Sequence, residues 1–106
     1  MNTIYVEREP SRPEIDELPG EALLEFGSPW CGYCIRTQPL ISEALENYPS
    51  VCHLKIFDAS GRRLGRTFRV KLWPTLVFLK NGRELSRLVR PTAVDAICDA
   101  LAGICS

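Results

Sequence analysis

Residues 22–48 read ALLEFGSPWCGYCIRTQPLISEALENY. Ala22 to Phe26 is an apolar run broken only by Glu25, and Gly27-Ser28-Pro29 ends it, which is the pattern of a strand buried in a sheet. From Cys31 to about Tyr48, the apolar residues Ile35, Leu40, Ile41, Ala44, Leu45 and Tyr48 recur at helical spacing. Pro39 lies inside that helix and is expected to kink it, because proline lacks an N–H and crowds the carbonyl four residues back. Pro49 closes the segment. Strand, tight turn and long helix follow one another here, with Cys31 and Cys34 straddling the helix start.

On either side the pattern continues. Ile4-Tyr5-Val6 reads as a short strand, and Glu14 to Leu18 as a short helix with Pro13 in its first turn and Pro19-Gly20 ending it. Val51 to Phe57 reads as a strand, Arg62 to Phe68 as a short basic helix or turn, and Thr75 to Leu79 as an apolar strand. Asn81-Gly82 signals a hairpin whose return strand is Glu84 to Val89. Thr92 is expected to cap a last helix carrying Val94, Ile97, Cys98 and Leu101. Alternating strands and helices that close on a hairpin and a helix predict an α/β fold: a mixed sheet with helices on both faces. At 106 residues, one domain over 1–106 is expected.

Composition excludes several classes of function. Thirteen basic and thirteen acidic residues cancel, so no global field draws nucleic acid or an anionic membrane. No apolar run approaches the roughly 20 residues that span a bilayer. Residues 1–13 are too polar for a secretory signal, which makes a cytoplasmic location the expectation. Arg62, Arg63, Arg66 and Arg69 read as a solvated basic face.

Five cysteines is an odd number and not a dense disulfide framework. Cys31 and Cys34, three residues apart in the first helical turn, bring their sulfurs to one side, close enough to bridge. The helix end offers unpaired N–H groups and partial positive charge, which favour a thiolate, most strongly at the residue nearer the end. Cys31 is therefore the expected nucleophile, with a lowered pKa in the range of about 3.5–7.5 seen for such pairs. Cys34, one turn in, is the expected resolving thiol. A zinc or iron–sulfur site needs further ligands, and Cys52, His53, Cys98 and Cys105 are scattered. An inert disulfide of this spacing would close too small a loop to stabilise much. Neither metal nor organic cofactor is expected.

These residues resemble the thioredoxin family from about Glu21 to Gly103. Trp30-Cys31-Gly32-Tyr33-Cys34 is similar to the family's W-C-G-P-C motif, and Pro39 falls where the family carries its helix-kinking proline. Trp73-Pro74-Thr75 looks like the cis-proline segment, and Asn81-Gly82 matches the turn after the next strand. The resemblance implies a thioredoxin-like fold and protein dithiol–disulfide exchange, in the direction of reducing substrate disulfides. It implies a cis Pro74 beside the cysteines, with Trp73 free to hydrogen-bond an extended substrate through its backbone. It further implies a substrate-facing surface formed by Trp30, Gly32, Tyr33, Trp73, Pro74 and Thr75, to which Arg90 is added as a candidate, with a thioredoxin reductase as electron donor. A single domain with no obvious exposed apolar stripe is expected to be a monomer. The competing reading is a thioredoxin-fold chaperone or partner-binding module in which the redox chemistry is secondary.

Glu25 stands where the family places a buried aspartate. A buried carboxylate there would exchange a proton with Cys34; a glutamate at a ragged strand end would point to water. Lys55 is a candidate partner for it, with an exposed lysine the expectation. Three departures bear on substrate range. Tyr33 replaces the motif's proline and predicts a somewhat more oxidising pair than an ordinary thioredoxin. Gly27 stands where a tryptophan is common. Arg90-Pro91 occupies a stretch that normally holds a glycine, so Arg90 either selects acidic or otherwise particular partners or is a solvated charge. Cys52 and Cys98 are expected in the core, Cys105 in a fraying terminus, and His53 alone and exposed.

Overall fold

Strand β1 (Glu21–Gly27) occupies the interior of a four-stranded sheet of order β2-β1-β3-β4, flanked by β2 (Cys52–Phe57) and β3 (Thr75–Lys80), with β4 (Arg83–Val89) at the far edge. The computed structural model describes residues 4–105. Helices α2 (Gly32–Leu45) and α3 (Leu64–Thr67) connect the strands, while α1 (Arg12–Asp16) precedes β1 and α4 (Val94–Cys105) follows β4. β1 runs parallel to β2 and antiparallel to β3, which pairs antiparallel with β4, so the sheet is mixed as the sequence predicts.

The alternation of side chains along β1 sorts two cores. Leu23, with Leu76 and Phe78 of β3, packs against Ile41, Ala44 and Leu45 of α2 and Ile97, Leu101 and Ile104 of α4. Ala22, Leu24 and Phe26, with Ile56, Val77 and Leu79, pack on the opposite face against Ile15 of α1 and Leu64 and Phe68 around α3. Helices therefore cover both faces of the α/β sheet. Buried on both sides, β1 and β3 leave almost no polar position, which is why their sequences read as apolar runs.

Local chemistry sets the element ends. Ser11 and Glu14 form a capping box, so α1 starts at Arg12, two residues before the expected Glu14, with Pro13 in its first turn. Asn81 and Gly82 take φ of 51° and 81°, the two positive values that a two-residue hairpin between Lys80 and Arg83 requires. A Cβ on Gly82 would collide with the backbone carbonyl of Asp16, so this turn admits glycine on both counts. Pro39 sits within α2 and leaves the Ile35 carbonyl without its usual i+4 donor.

Several expectations fail at the edges. Ile4 to Val6 forms no strand: Tyr5 makes a single parallel bridge to Lys55, and the Val6 N–H bonds the Lys55 carbonyl at 2.9 Å. α4 starts at Val94, and among the described residues Thr92 makes no capping bond to it. Cys52 is exposed rather than in the core, because it opens an edge strand. Cys98 is half-buried against the α2–α4 core. Cys105 lies in the last turn of α4, packed against that same core, and not in a frayed tail.

Candidate active site

Cys31 is the N-cap residue of α2, with φ −75° and ψ 119°, and its sulfur accepts the Cys34 backbone N–H at 3.1 Å. One unpaired donor of the helix end thus points at this sulfur, and the helix dipole adds partial positive charge there. Both cysteines are free thiols; Cys31 is half-buried and Cys34 buried. Burial pushes the Cys34 thiol up to about 12, helped by its hydrogen bond to Cys31 and by the charges of Cys31 and Glu25. The two thiols therefore differ in kind. The outer sulfur faces donors and solvent, while the inner one holds its proton.

Glu25 is fully buried and does not point to water. The register places Leu23 beside His53 and Glu25 beside Lys55, so all four side chains share the face that α2 covers. Glu25 Oε1 lies 2.9 Å from His53 Nε2, and Glu25 Oε2 accepts from Gln38 Nε2 at 2.6 Å. Gln38 Nε2 also donates to the Cys34 carbonyl at 3.1 Å, while Gln38 Oε1 accepts from Lys55 Nζ at 2.8 Å. Lys55 Nζ stands 4.0 Å from Glu25 Oε2. Two sequence expectations are corrected here: His53 and Lys55 are buried and bonded, not exposed. Strand register decides this, since position 53 falls on the covered face of β2 even though β2 is an edge strand.

Tyr5 completes this side. Its ring packs on Lys55, with Nζ 4.7 Å from the centroid. Burial, then the charges of Glu25, Cys34 and Cys31, raise its phenol above the ordinary tyrosine value. Tyr5, Ser28, Pro29, Cys34, Gln38 and Lys55 line a cleft of about 240 Å³.

On the other side of the cysteines, the Trp73–Pro74 peptide is cis, and Pro74 and Thr75 are buried at the start of β3. Trp73 is half-buried, its indole N–H bonded to Asp58 Oδ2 at 3.0 Å. Its backbone is not wholly free: the carbonyl accepts from Arg90 Nε at 2.7 Å. Arg90 holds φ 52°, a backbone region that glycine enters readily, with its N–H on the Pro74 carbonyl at 3.0 Å. Its guanidinium lies 3.9 Å from the Tyr33 ring centroid. Trp30 is 76% exposed, its ring edge-on to Phe57, and Gly32 is exposed beside it.

Sequence reasoning missed Tyr5, Gln38, His53 and Asp58 as parts of this neighbourhood, and weighed Lys55 as a partner of Glu25 while expecting it exposed. Only Gln38 carried a signal, one helical turn after Cys34 on the same face. Among the described residues, no group of three or more His, Cys, Asp or Glu side chains stands close enough to hold a metal ion.

Thioredoxin 2 of Pseudomonas aeruginosa PAO1, solved in its reduced form, superimposes with a TM-score of 0.88 at 50% identity, covering 99% of this chain and 97% of that one. The thioredoxin of Chlamydia trachomatis is 33% identical over 70 residues, 66% of this chain and 69% of that protein. An H-type thioredoxin of Populus jackii is 34% identical over 67 residues, 63% of this chain and 48% of its own length. The chain spans about half the length of the plant relatives it matches. The thioredoxin family model matches residues 3–102. With the sheet order, the capped cysteine and the Trp73–Pro74 segment in place, that match across nearly the whole length settles the relationship: the chain belongs to the thioredoxin family.

Proposed function

We propose that the chain, acting as one domain over 1–106, is a protein thiol–disulfide oxidoreductase that reduces substrate disulfides. The observation that carries this reading is the asymmetry of the pair: a helix-capping Cys31 sulfur that accepts the Cys34 N–H, backed by a buried Cys34 thiol. The Cys31 thiolate attacks one sulfur of a substrate disulfide, the substrate S–S bond breaks, and one substrate thiolate leaves. Cys34 then loses its proton and attacks Cys31 in the mixed disulfide. The second substrate thiolate departs, leaving Cys31–Cys34 oxidised and the substrate reduced by two electrons.

Glu25 is the proton acceptor for Cys34 in this reading, through the cleft that Gln38 and Lys55 line. Trp30, Gly32, Tyr33 and the Trp73 backbone form the substrate surface, over the buried cis Pro74 and Thr75, with Arg90 at its border. A thioredoxin reductase is the proposed donor for the return to dithiol. A cytoplasmic location and a monomeric state complete the proposal; among the described residues, no helix is long and apolar enough to cross a membrane.

The test is a stopped-flow assay of pre-reduced protein against a peptide disulfide, with a redox titration read by Trp30 fluorescence. A two-electron transition, near or above the roughly −270 mV of an ordinary thioredoxin, supports the reading. Cys34→Ser should accumulate the mixed disulfide at Cys31, and Cys31→Ser should abolish exchange. If no transition involves these cysteines, and the double serine variant still captures partner proteins, a binding module replaces the enzyme.

A further inference from the structure

Tyr33, two residues after Cys31, stands between two guanidiniums. Arg36 Cζ, from the first turns of α2, is 4.6 Å from its ring centroid, and Arg90 Cζ, from the loop after β4, is 3.9 Å away. Cations at this distance from a tyrosine ring are held by its quadrupole, and arginine stacks there while keeping its N–H edges available. Between them runs a groove of about 500 Å³, lined by Tyr33, Arg36, Thr37, Leu40, Arg90 and Pro91.

Among the described residues, neither arginine has a countercharge. The ion pairs of the described residues engage Arg8, Arg12, His53, Lys55 and Arg87. Arg90 spends only its Nε–H, on the Trp73 carbonyl. Its other donors and those of Arg36 have no protein acceptor among the described residues. In a chain whose net charge is zero, two unneutralised guanidiniums at the border of the reactive cysteine are a local field, not a consequence of composition.

We infer that this groove selects acidic substrates: extended peptides with glutamate or aspartate beside the disulfide-bonded cysteine, whose carboxylates pair with Arg36 and Arg90. Charge complementarity argues for this occupant, because guanidinium forks match carboxylates bidentately. The inference rests on the oxidoreductase reading and names its substrate class. The sulfur chemistry is the exchange described above; the arginines change encounter and docking.

The experiment compares two homodimeric hexapeptide disulfides, identical except for Glu-Glu or Gln-Gln before the cysteine, reacting with pre-reduced protein under single-turnover conditions. Each rate constant is divided by that of dithiothreitol on the same peptide, which removes the effect of charge on intrinsic thiol reactivity. At low ionic strength the glutamate peptide should react about five- to tenfold faster, and the preference should shrink below about twofold at 0.5 M salt. In Arg36→Gln/Arg90→Gln the ratio at low salt should also fall below about twofold. A ratio near one in the native protein, or a preference that persists in the double variant, overturns the charge inference while leaving the oxidoreductase intact. Failure to reduce either peptide overturns both.

Discussion

A Cβ placed on Gly27 would stand 2.5 Å from the Sγ of Cys34. At this last residue of β1, the inner sulfur of the cysteine pair fills the space a side chain would need. Gly27→Ala should force Cys34 off its position, at about 1–3 kcal/mol for overpacking a buried site. For a chain of this size that lowers the Tm of the dithiol form by at least about 4 °C. The second step of exchange should also slow, because Cys34 no longer faces Cys31. Thermal unfolding together with the lifetime of the mixed disulfide checks this; a variant with native values of both would mean the sulfur is not held by this contact.

Glu25 is a buried carboxylate held by three polar groups, and removing one partner should cost more than removing the set. Glu25→Leu leaves Lys55, Gln38 and His53 without their shared acceptor, a loss of about 3–5 kcal/mol. Adding Lys55→Met should recover much of it, since an apolar pair replaces an orphaned charge. His53→Ala alone should cost about 1–3 kcal/mol, the price of an acceptor left without its hydrogen bond. Urea midpoints for the single and double variants decide; a double variant less stable than Glu25→Leu would show that Lys55 is held by other groups.

Cys34 ties stability to pH with a definite sign. Its folded thiol titrates at about 12, raised first by burial, against an ordinary value of 9.0. Between these values the folded chain keeps a proton that the unfolded chain has lost, so the folded state is increasingly disfavoured as pH rises. The contribution is complete below about pH 9 and is lost as pH climbs towards 12. Urea unfolding of the dithiol form between pH 8 and 10.5 should show a steeper loss than Cys34→Ala does. Equal slopes would remove Cys34 as the cause.

Trp73 is anchored by the Asp58 carboxylate, which is itself pressed against Gly65 so closely that a Cβ there would overlap it. Gly65→Ala and Asp58→Ala should therefore act on Trp73 from a distance. In a Trp30→Phe background, acrylamide quenching of Trp73 should rise about twofold in either variant as the half-buried indole loses its hydrogen bond. Unchanged quenching would place the control of Trp73 in its other contacts, among them Arg90.

The remaining cysteines should react in an order set by exposure. Cys52 is exposed, whereas Cys98 and Cys105 are half-buried, their thiols raised by burial and, for Cys98, by Asp95, Asp99 and Glu43. With the Cys31–Cys34 pair oxidised, iodoacetamide should label Cys52 about tenfold faster than the other two. Peptide mapping reads the order directly, and prior labelling of Cys105 would contradict its packing in α4.

What the sequence determined by itself is local. The alternation of apolar runs with helical spacing specified a mixed α/β sheet. Helix-start geometry singled out Cys31 and Cys34, and Asn81-Gly82 specified a turn whose positive φ values few residues accept. Each of these features is decided within about ten residues of chain, where propensity, periodicity and backbone sterics act. The setting of the cysteines was decided elsewhere. His53 and Lys55 looked like solvated residues until the parallel register of β1 and β2 put them on the face under α2, beside Glu25. A shift of one residue would have turned both to the opposite face, and nothing in their neighbours in sequence fixes that choice. Arg90 reaches Tyr33 and Trp73 only because β4 closes against β3, and Cys105 is half-buried only because α4 docks on the sheet beside α2. Chemistry that depends on a short helix end was legible in the sequence; chemistry that depends on which strand lies beside which was not, because long-range packing alone chooses the face each side chain meets.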